Sequence, residues 1–153
     1  MKVRDSVVLV SGANRGLGRA WARSLLEAGA RKVYAGGRDP CGIDLPGVIP
    51  LELDITRPEQ VRRAAAECSD VTLLVNNAGI VRGGHVFDDE AVDRARQELD
   101  TNLFGTLAMC RAFAPVLAAN GGGAIVNVLS VLSWISIPGG ATYGMSKAAA
   151  WSM

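Results

Sequence analysis

Val7-Val8-Leu9-Val10-Ser11-Gly12-Ala13-Asn14-Arg15-Gly16-Leu17-Gly18 is the stretch that decides the fold. Its first four residues form a short apolar run rich in β-branched side chains, the pattern of a strand buried on both faces of a parallel sheet. Arg19 to Ala28 then read as a helix that stops at Gly29. A glycine-rich turn between a strand and a helix lets the backbone approach a pyrophosphate, which then lies at the positive end of the helix. The spacing is G-x-x-x-G-x-G over Gly12, Gly16 and Gly18, not the commoner G-x-G-x-x-G. A glycine turn alone is a weak signal; the strand before it and the helix after it strengthen it. Asn14, Arg15 and Leu17 lie inside the turn and join the glycines as candidate nucleotide contacts.

Moving outward, Lys32 to Gly36 form a second strand that ends in Gly36-Gly37-Arg38-Asp39. Dinucleotide folds that take NAD place an acid at the end of this strand for the ribose 2′-hydroxyl, whereas a nearby arginine suits a 2′-phosphate. Here the strand end is Gly37 followed by Arg38, and Arg15 can reach the same phosphate with a guanidinium fork. NADP(H) is therefore favoured. Arg38 as a solvated loop charge and Asp39 as a ribose ligand keep NAD(H) open. Pro40, Gly42, Pro46, Gly47 and Pro50 exclude a long helix before the strand Leu51–Asp54. Thr56-Arg57-Pro58-Glu59 reads as a capping box that starts a helix over Pro58–Glu67. Val71–Val75 is a fourth strand, closing in Asn76-Asn77-Ala78-Gly79. A long helix over Asp88–Asn120 breaks near Asp100–Asn102, and Ala124–Leu129 is a fifth strand. Strands and helices alternating at this spacing predict one α/β domain over residues 1–153, a doubly wound parallel sheet in three layers.

Composition narrows the function. The chain has 153 residues, 49% of them hydrophobic and 20% charged, with a net charge of +1. That balance gives no reason to expect nucleic acid or an anionic membrane as partner. The apolar runs are too short to span a bilayer, and the N-terminus reads as a strand, which points to a cytoplasmic protein. Cys41, Cys68 and Cys110 are odd in number and far apart, so no disulfide framework and no metal site is expected. Cys110 reads as a small apolar residue, and His85, alone in a Gly-Gly-His loop, as a surface residue.

Acid–base chemistry enters at Ser130 to Lys147. Tyr143 and Lys147 are four apart in an alanine-rich helical segment and so share a face. A free tyrosine loses its proton near pH 10. Lowering that by about three units takes roughly 4 kcal/mol, which a neighbouring ammonium can supply. Ser130, thirteen residues before Tyr143, ends an apolar run where a hydroxyl can face the same reacting atom.

Taken together, Gly12-x-x-x-Gly16-x-Gly18, Asp54, Asn76-Asn77-Ala78-Gly79, Asn102, Ser130 and Tyr143-x-x-x-Lys147 resemble the short-chain dehydrogenase/reductase family in its single-domain form. The resemblance implies interconversion of a carbonyl and a secondary alcohol with a nicotinamide cofactor. It makes Tyr143 the general acid/base, and gives Lys147 the tyrosine ionisation and the nicotinamide ribose. It sets Ser130, rather than the nearby Ser133 and Ser136, on the substrate oxygen. Asn102 would hold a relay water to Lys147, or else satisfy a helix break. Asp54 and the adjacent Ile55 would border the adenine, with a surface acid as the alternative for Asp54. Asn76, Ala78 and Gly79 would border the cofactor. A homo-oligomer, dimer or tetramer, is expected.

Two departures accompany the resemblance. The loop Arg38–Pro50 replaces the family's usual second helix. The chain also ends in Ala-Ala-Ala-Trp-Ser-Met inside a helix, so the family's last strands and substrate-covering loop are expected to be missing, leaving half a substrate pocket and marginal stability. Trp134, Ile135 and Ile137, opposite Val81 and Arg82, form either an apolar substrate wall or core. An inactive fragment or non-enzymatic nucleotide-binding module is the alternative to an enzyme. Extended-branch epimerases share Tyr-x-x-x-Lys but are disfavoured by Asn-Asn-Ala-Gly.

Overall fold

The computed structural model describes residues 2–153. Five parallel strands lie in the order β3-β2-β1-β4-β5, where β1 is Val7–Ser11, β2 Lys32–Gly37, β3 Ile49–Glu52, β4 Leu73–Asn76 and β5 Ala124–Asn127. The register sets Val8 beside Val33 on one side and Leu73 on the other, and Val75 beside Val126. Alternate residues of β1 feed two cores. Val7 and Leu9 pack with Leu74, Val61, Met109, Phe113 and Leu117. Val8 and Val10 pack with Ala22, Leu25, Val33 and Val75. Helix α1 (Gly16–Glu27) thus covers one face, while α2 (Pro58–Glu67) and α4 (Thr106–Ala119) cover the other. Burying a side chain such as Phe113 contributes about 1.5–3 kcal/mol, so β1 at the centre anchors both layers. The chain winds out to β3 and returns to β4 beside β1. That reversal opens a crevice at the carboxyl ends of the strands, where doubly wound sheets bind ligands.

Several expectations are corrected in detail. Strand β3 begins at Ile49 and includes Pro50, read from sequence as loop. It lies at the sheet edge, where a missing N–H is tolerated. The capping box does not form. Arg57 precedes α2 without a side-chain cap, and the Thr56 hydroxyl instead donates to Asp54 Oδ1 at 2.7 Å. Asp54 Oδ1 also accepts the Thr56 N–H at 3.0 Å, an Asx turn that outcompetes the cap. Helix α1 starts at Gly16 rather than Arg19, and β5 ends at Asn127 rather than Leu129.

The break near Asn102 is a π-helical turn over Asp100–Gly105 that joins α3 (Ala91–Leu99) to α4 without interrupting the helix. The continuous stretch Ala91–Ala119 is 29 residues, long and apolar enough by length and composition to cross a membrane, contrary to the sequence reading. Here its Met109, Phe113 and Leu117 are buried against the sheet. Helix α5 (Ala141–Ser152) packs on α3 and on the π turn.

Candidate functional site

A cleft of about 530 Å³ opens at the carboxyl ends of β1, β2 and β4. Its floor is the turn from Gly12 to Gly18. Gly12 has φ +68°, and a Cβ there would come within 2.9 Å of Ala78 Cα, so only glycine lets the two loops touch. Gly16, at φ +54°, opens helix α1 toward free space on the cleft side. Arg15 precedes the helix with no side-chain cap, so the first backbone N–H groups of α1 remain available to an anion. Asn14, Leu17 and Gly18 complete this wall.

The second wall comes from β2 and the segment after β3. Gly37, Arg38, Leu53, Asp54 and Ile55 line it. Arg15 and Arg38 are both exposed, and among the described residues neither forms an ion pair. Asp39 is turned away from the cleft lining, its Oδ1 accepting the Cys41 N–H at 3.0 Å and capping a short 3₁₀ turn. Two exposed guanidiniums and no committed acid stand at the end of β2. With the glycine turn and the uncapped start of α1, the residues present fit a dinucleotide.

The third wall is Asn77-Ala78-Gly79-Ile80, with Thr101. Ser11 Oγ accepts the N–H groups of Asn77 and Ala78 at 3.1 and 3.0 Å, and Asn77 Nδ2 donates to the Ser11 carbonyl at 2.9 Å. These bonds clamp the ends of β1 and β4 together. Asn76, expected at the cofactor, does not line the cleft. It is buried at the end of β4, and its Nδ2 donates to Asn127 Oδ1 at 2.9 Å and to Cys110 Sγ at 3.3 Å. Asn77 takes the place facing the cleft. Sequence reading also passed over Ser11, whose one signal is its position between the strand and Gly12.

Beyond Gly79 lie the residues expected from the sequence to carry acid–base chemistry. Asn102, in the π turn, accepts the Ile80 N–H at 2.8 Å and donates through Nδ2 to the Ile80 carbonyl and to Ser146 Oγ, both at 2.9 Å. Its side chain therefore ties the post-β4 loop to α5. Its backbone carbonyl accepts the Thr106 hydroxyl at 2.9 Å. A Cβ placed on Gly79 would lie 3.0 Å from Asn102 Oδ1 and 3.6 Å from Lys147 Nζ, so loop, π turn and α5 converge at this point.

Lys147 is 6% exposed, and its Nζ donates to the Val128 carbonyl at 2.9 Å. Nζ lies 5.8 Å from the centroid of the Tyr143 ring. Burial pushes the Lys147 ammonium below the ordinary lysine range. Ser130 caps a 3₁₀ turn over Val131–Ser133, its Oγ accepting the Leu132 N–H at 3.2 Å. That bond occupies an acceptor position of the hydroxyl and leaves its proton free to donate. Ser133 is buried and spends its hydroxyl on the Lys147 carbonyl at 3.2 Å, and Ser136 is exposed. Trp134, Ile135 and Ile137 are about half exposed or more in this chain. A parallel bridge between Gly84 and Gly140 brings the Val81 loop beside them.

Against known proteins, the family model described as short chain dehydrogenase matches residues 6–153. Dehydrogenase/reductase SDR family member 7B of Bos taurus is 32% identical over 95% of this chain and 50% of its own length. A short chain dehydrogenase from Burkholderia cenocepacia, solved in complex with NADP, superposes with a TM-score of 0.95 at 49% identity, covering all of this chain and 65% of that one. The aldohexose dehydrogenase of Thermoplasma acidophilum gives a TM-score of 0.86 at 31% identity, over 96% of this chain and 58% of that one. The chain spans about half the length of the curated relatives it matches. The glycine cleft, the Asn-Asn-Ala-Gly clamp and the Tyr143–Lys147 pair are thus features of a chain that belongs to the short-chain dehydrogenase family.

Proposed function

We propose that this chain carries the cofactor cleft and acid–base group of an NADP(H)-dependent oxidoreductase that interconverts a carbonyl and a secondary alcohol. The observation that carries this reading is the buried Lys147 ammonium beside the Tyr143 ring, at the end of a cleft whose free cations are Arg15 and Arg38. A bound nicotinamide would supply or accept the hydride. Tyr143 gives its phenolic proton to the carbonyl oxygen in reduction and takes the alcohol proton in oxidation. Lys147 favours the phenolate through its charge. Ser130, with its proton free, donates to the same oxygen as negative charge builds there. Asn102 holds the Ile80 loop and α5 in register around Lys147.

Arg15 and Arg38 grip the 2′-phosphate, and the N-terminus of α1 takes the pyrophosphate. The Burkholderia structure, bound to NADP at 49% identity, supports that preference. Asp54 and Ile55 border the adenine end. Exposed Trp134, Ile135 and Ile137 with Val81 make one wall of a substrate site suited to a moderately apolar carbonyl. Exposed Phe104 and Leu107 on the long helix, with Met145 on α5, support a homo-oligomer.

Titration of the full-length protein with NADPH and NADH, followed by nicotinamide fluorescence, tests the cofactor assignment. Two charge-assisted contacts predict NADPH binding tighter by at least about tenfold. Equal affinities would remove the phosphate role of the arginines, and binding of neither would remove the proposal.

A further inference from the structure

The seam between α3 and α5 holds two buried polar atoms that the site as described leaves unused. Glu98 on α3 is fully buried. Its Oε1 accepts the Arg82 N–H at 2.7 Å, and its Oε2 has no hydrogen-bond partner among the described residues. Thr142, in the first turn of α5 and next to Tyr143, is 3% exposed, and its Oγ1 likewise has none. Buried polar atoms are seldom left without a partner, so two in one seam ask for an explanation.

Their register supplies it. Asn102 and Ser146 are hydrogen-bonded across this seam at 2.9 Å. Glu98 and Thr142 each precede one of them by four residues, and residues four apart stack on one helix face. The two helices run the same way: each returns from the carboxyl end of a parallel strand, and the parallel Gly84–Gly140 bridge sets their approaches side by side. Glu98 Oε2 and Thr142 Oγ1 therefore belong to one buried stripe, a turn before the Asn102–Ser146 bond. Polar atoms that share a seam without bonding directly are the partners a buried water takes.

We propose that one buried water bridges Glu98 Oε2 and Thr142 Oγ1, which makes Glu98 a positioning residue for Tyr143. Through Oε1 its carboxylate holds the loop after β4, and through the water it holds the first turn of α5. The inference rests on the reading of Tyr143 as the acid/base.

The test uses Thr142→Val, which keeps the shape and removes the hydroxyl, and Thr142→Ser, which keeps the hydroxyl, in the full-length enzyme. T142V should lower kcat on the order of tenfold, the scale of a slight misplacement of a catalytic group, with KM for NADPH unchanged. T142S should restore kcat. The double variant Glu98→Met with T142V should lose no more than E98M alone, because both remove the same bridge. Unchanged kcat in T142V, or losses that multiply in the double variant, would overturn the proposal; T142V decides it alone if E98M fails to fold. A high-resolution crystal structure reads the water independently of turnover. Density between the two oxygens in wild type and not in T142V supports the bridge, and its absence from wild type overturns it. An active Y143F variant with the water present would instead overturn the acid/base reading.

Discussion

Replacing Lys147 by methionine separates the catalytic role proposed for this residue from what it does for the fold. Its ammonium is 6% exposed, donates to the Val128 carbonyl, and sits 5.8 Å from the Tyr143 ring centroid. A unit charge at that distance, with an effective dielectric constant of about 20, is worth about 3 kcal/mol to a phenolate. K147M in the full-length enzyme should therefore lower kcat for alcohol oxidation by about a hundredfold at neutral pH. The deficit should narrow toward pH 10, where free tyrosine ionises unaided. Stability should respond in the opposite sense. Burial depresses the lysine's affinity for its proton in the folded state, so unfolding takes up protons between the folded value and the ordinary one. Below that window the folded protein carries the full cost of a buried charge, and the cost fades as pH rises through it. Methionine carries no such cost, while losing one bond to a charged donor worth about 1.5–3 kcal/mol. K147M should thus melt within a few degrees of wild type at pH 7, and its stability relative to wild type should fall as pH rises toward 10. Steady-state kinetics and thermal melts across pH read both quantities. A kcat within threefold of wild type at neutral pH, or a relative stability that rises with pH, would refute the reasoning.

Other outcomes follow from single contacts. Arg38→Ala should weaken NADPH by about ten- to a hundredfold and leave NADH unchanged, one charge-assisted contact being worth about 1.5–3 kcal/mol; equal losses for both in fluorescence titration would assign Arg38 elsewhere. Burial pushes the Cys68 thiol up to about 12, whereas Cys41 is exposed. A maleimide at neutral pH should therefore modify Cys41 in the native protein and Cys68 only after unfolding, as mass spectrometry of the labelled peptides would report. At the opposite end of the sheet, Asp70 accepts from Lys32 Nζ at 2.5 Å and from the Tyr34 hydroxyl at 3.0 Å. Burial raises its carboxyl, and these bonds outweigh that and hold it below the usual aspartate range. Its stabilisation is present above the ordinary aspartate range and lost as pH falls through the lowered value, so Asp70→Asn should cost under about 1 kcal/mol at pH 7 and less near pH 2. Denaturant melts at the two pH values would detect an unchanged difference, which would contradict the ion pair.

What could be read ahead of the structure was whatever local chemistry dictates. Val7–Gly18 needs no partner to announce a buried strand and a glycine turn, and Tyr143 and Lys147 meet because four residues make about one helical turn. Between the serines, Ser133 spends its hydroxyl on the Lys147 carbonyl, whereas the Ser130 hydroxyl accepts the Leu132 N–H and keeps its proton. What escaped depends on who stands opposite. Pro50 could enter a strand only because that strand is an edge, and the edge is set by sheet order. Asn76 leaves the cleft to Asn77, Ala78 and Gly79 because the register puts it against Asn127. The capping box at Thr56 lost to an aspartate two residues back, a competition between two local hydrogen bonds of similar strength. The turn at Asn102 was legible as a break near Asp100–Asn102 but not as a π turn, because the extra residue matters through the loop and helix it reaches.

The central claim, proton transfer by Tyr143 in an NADP(H) site, is tested most directly by Tyr143→Phe in the full-length enzyme. NADPH affinity and carbonyl-dependent NADPH oxidation would be measured together. The account predicts that turnover falls by at least about a hundredfold, the low end for losing general acid–base catalysis, while NADPH binds as in wild type. Turnover retained with binding intact would contradict it.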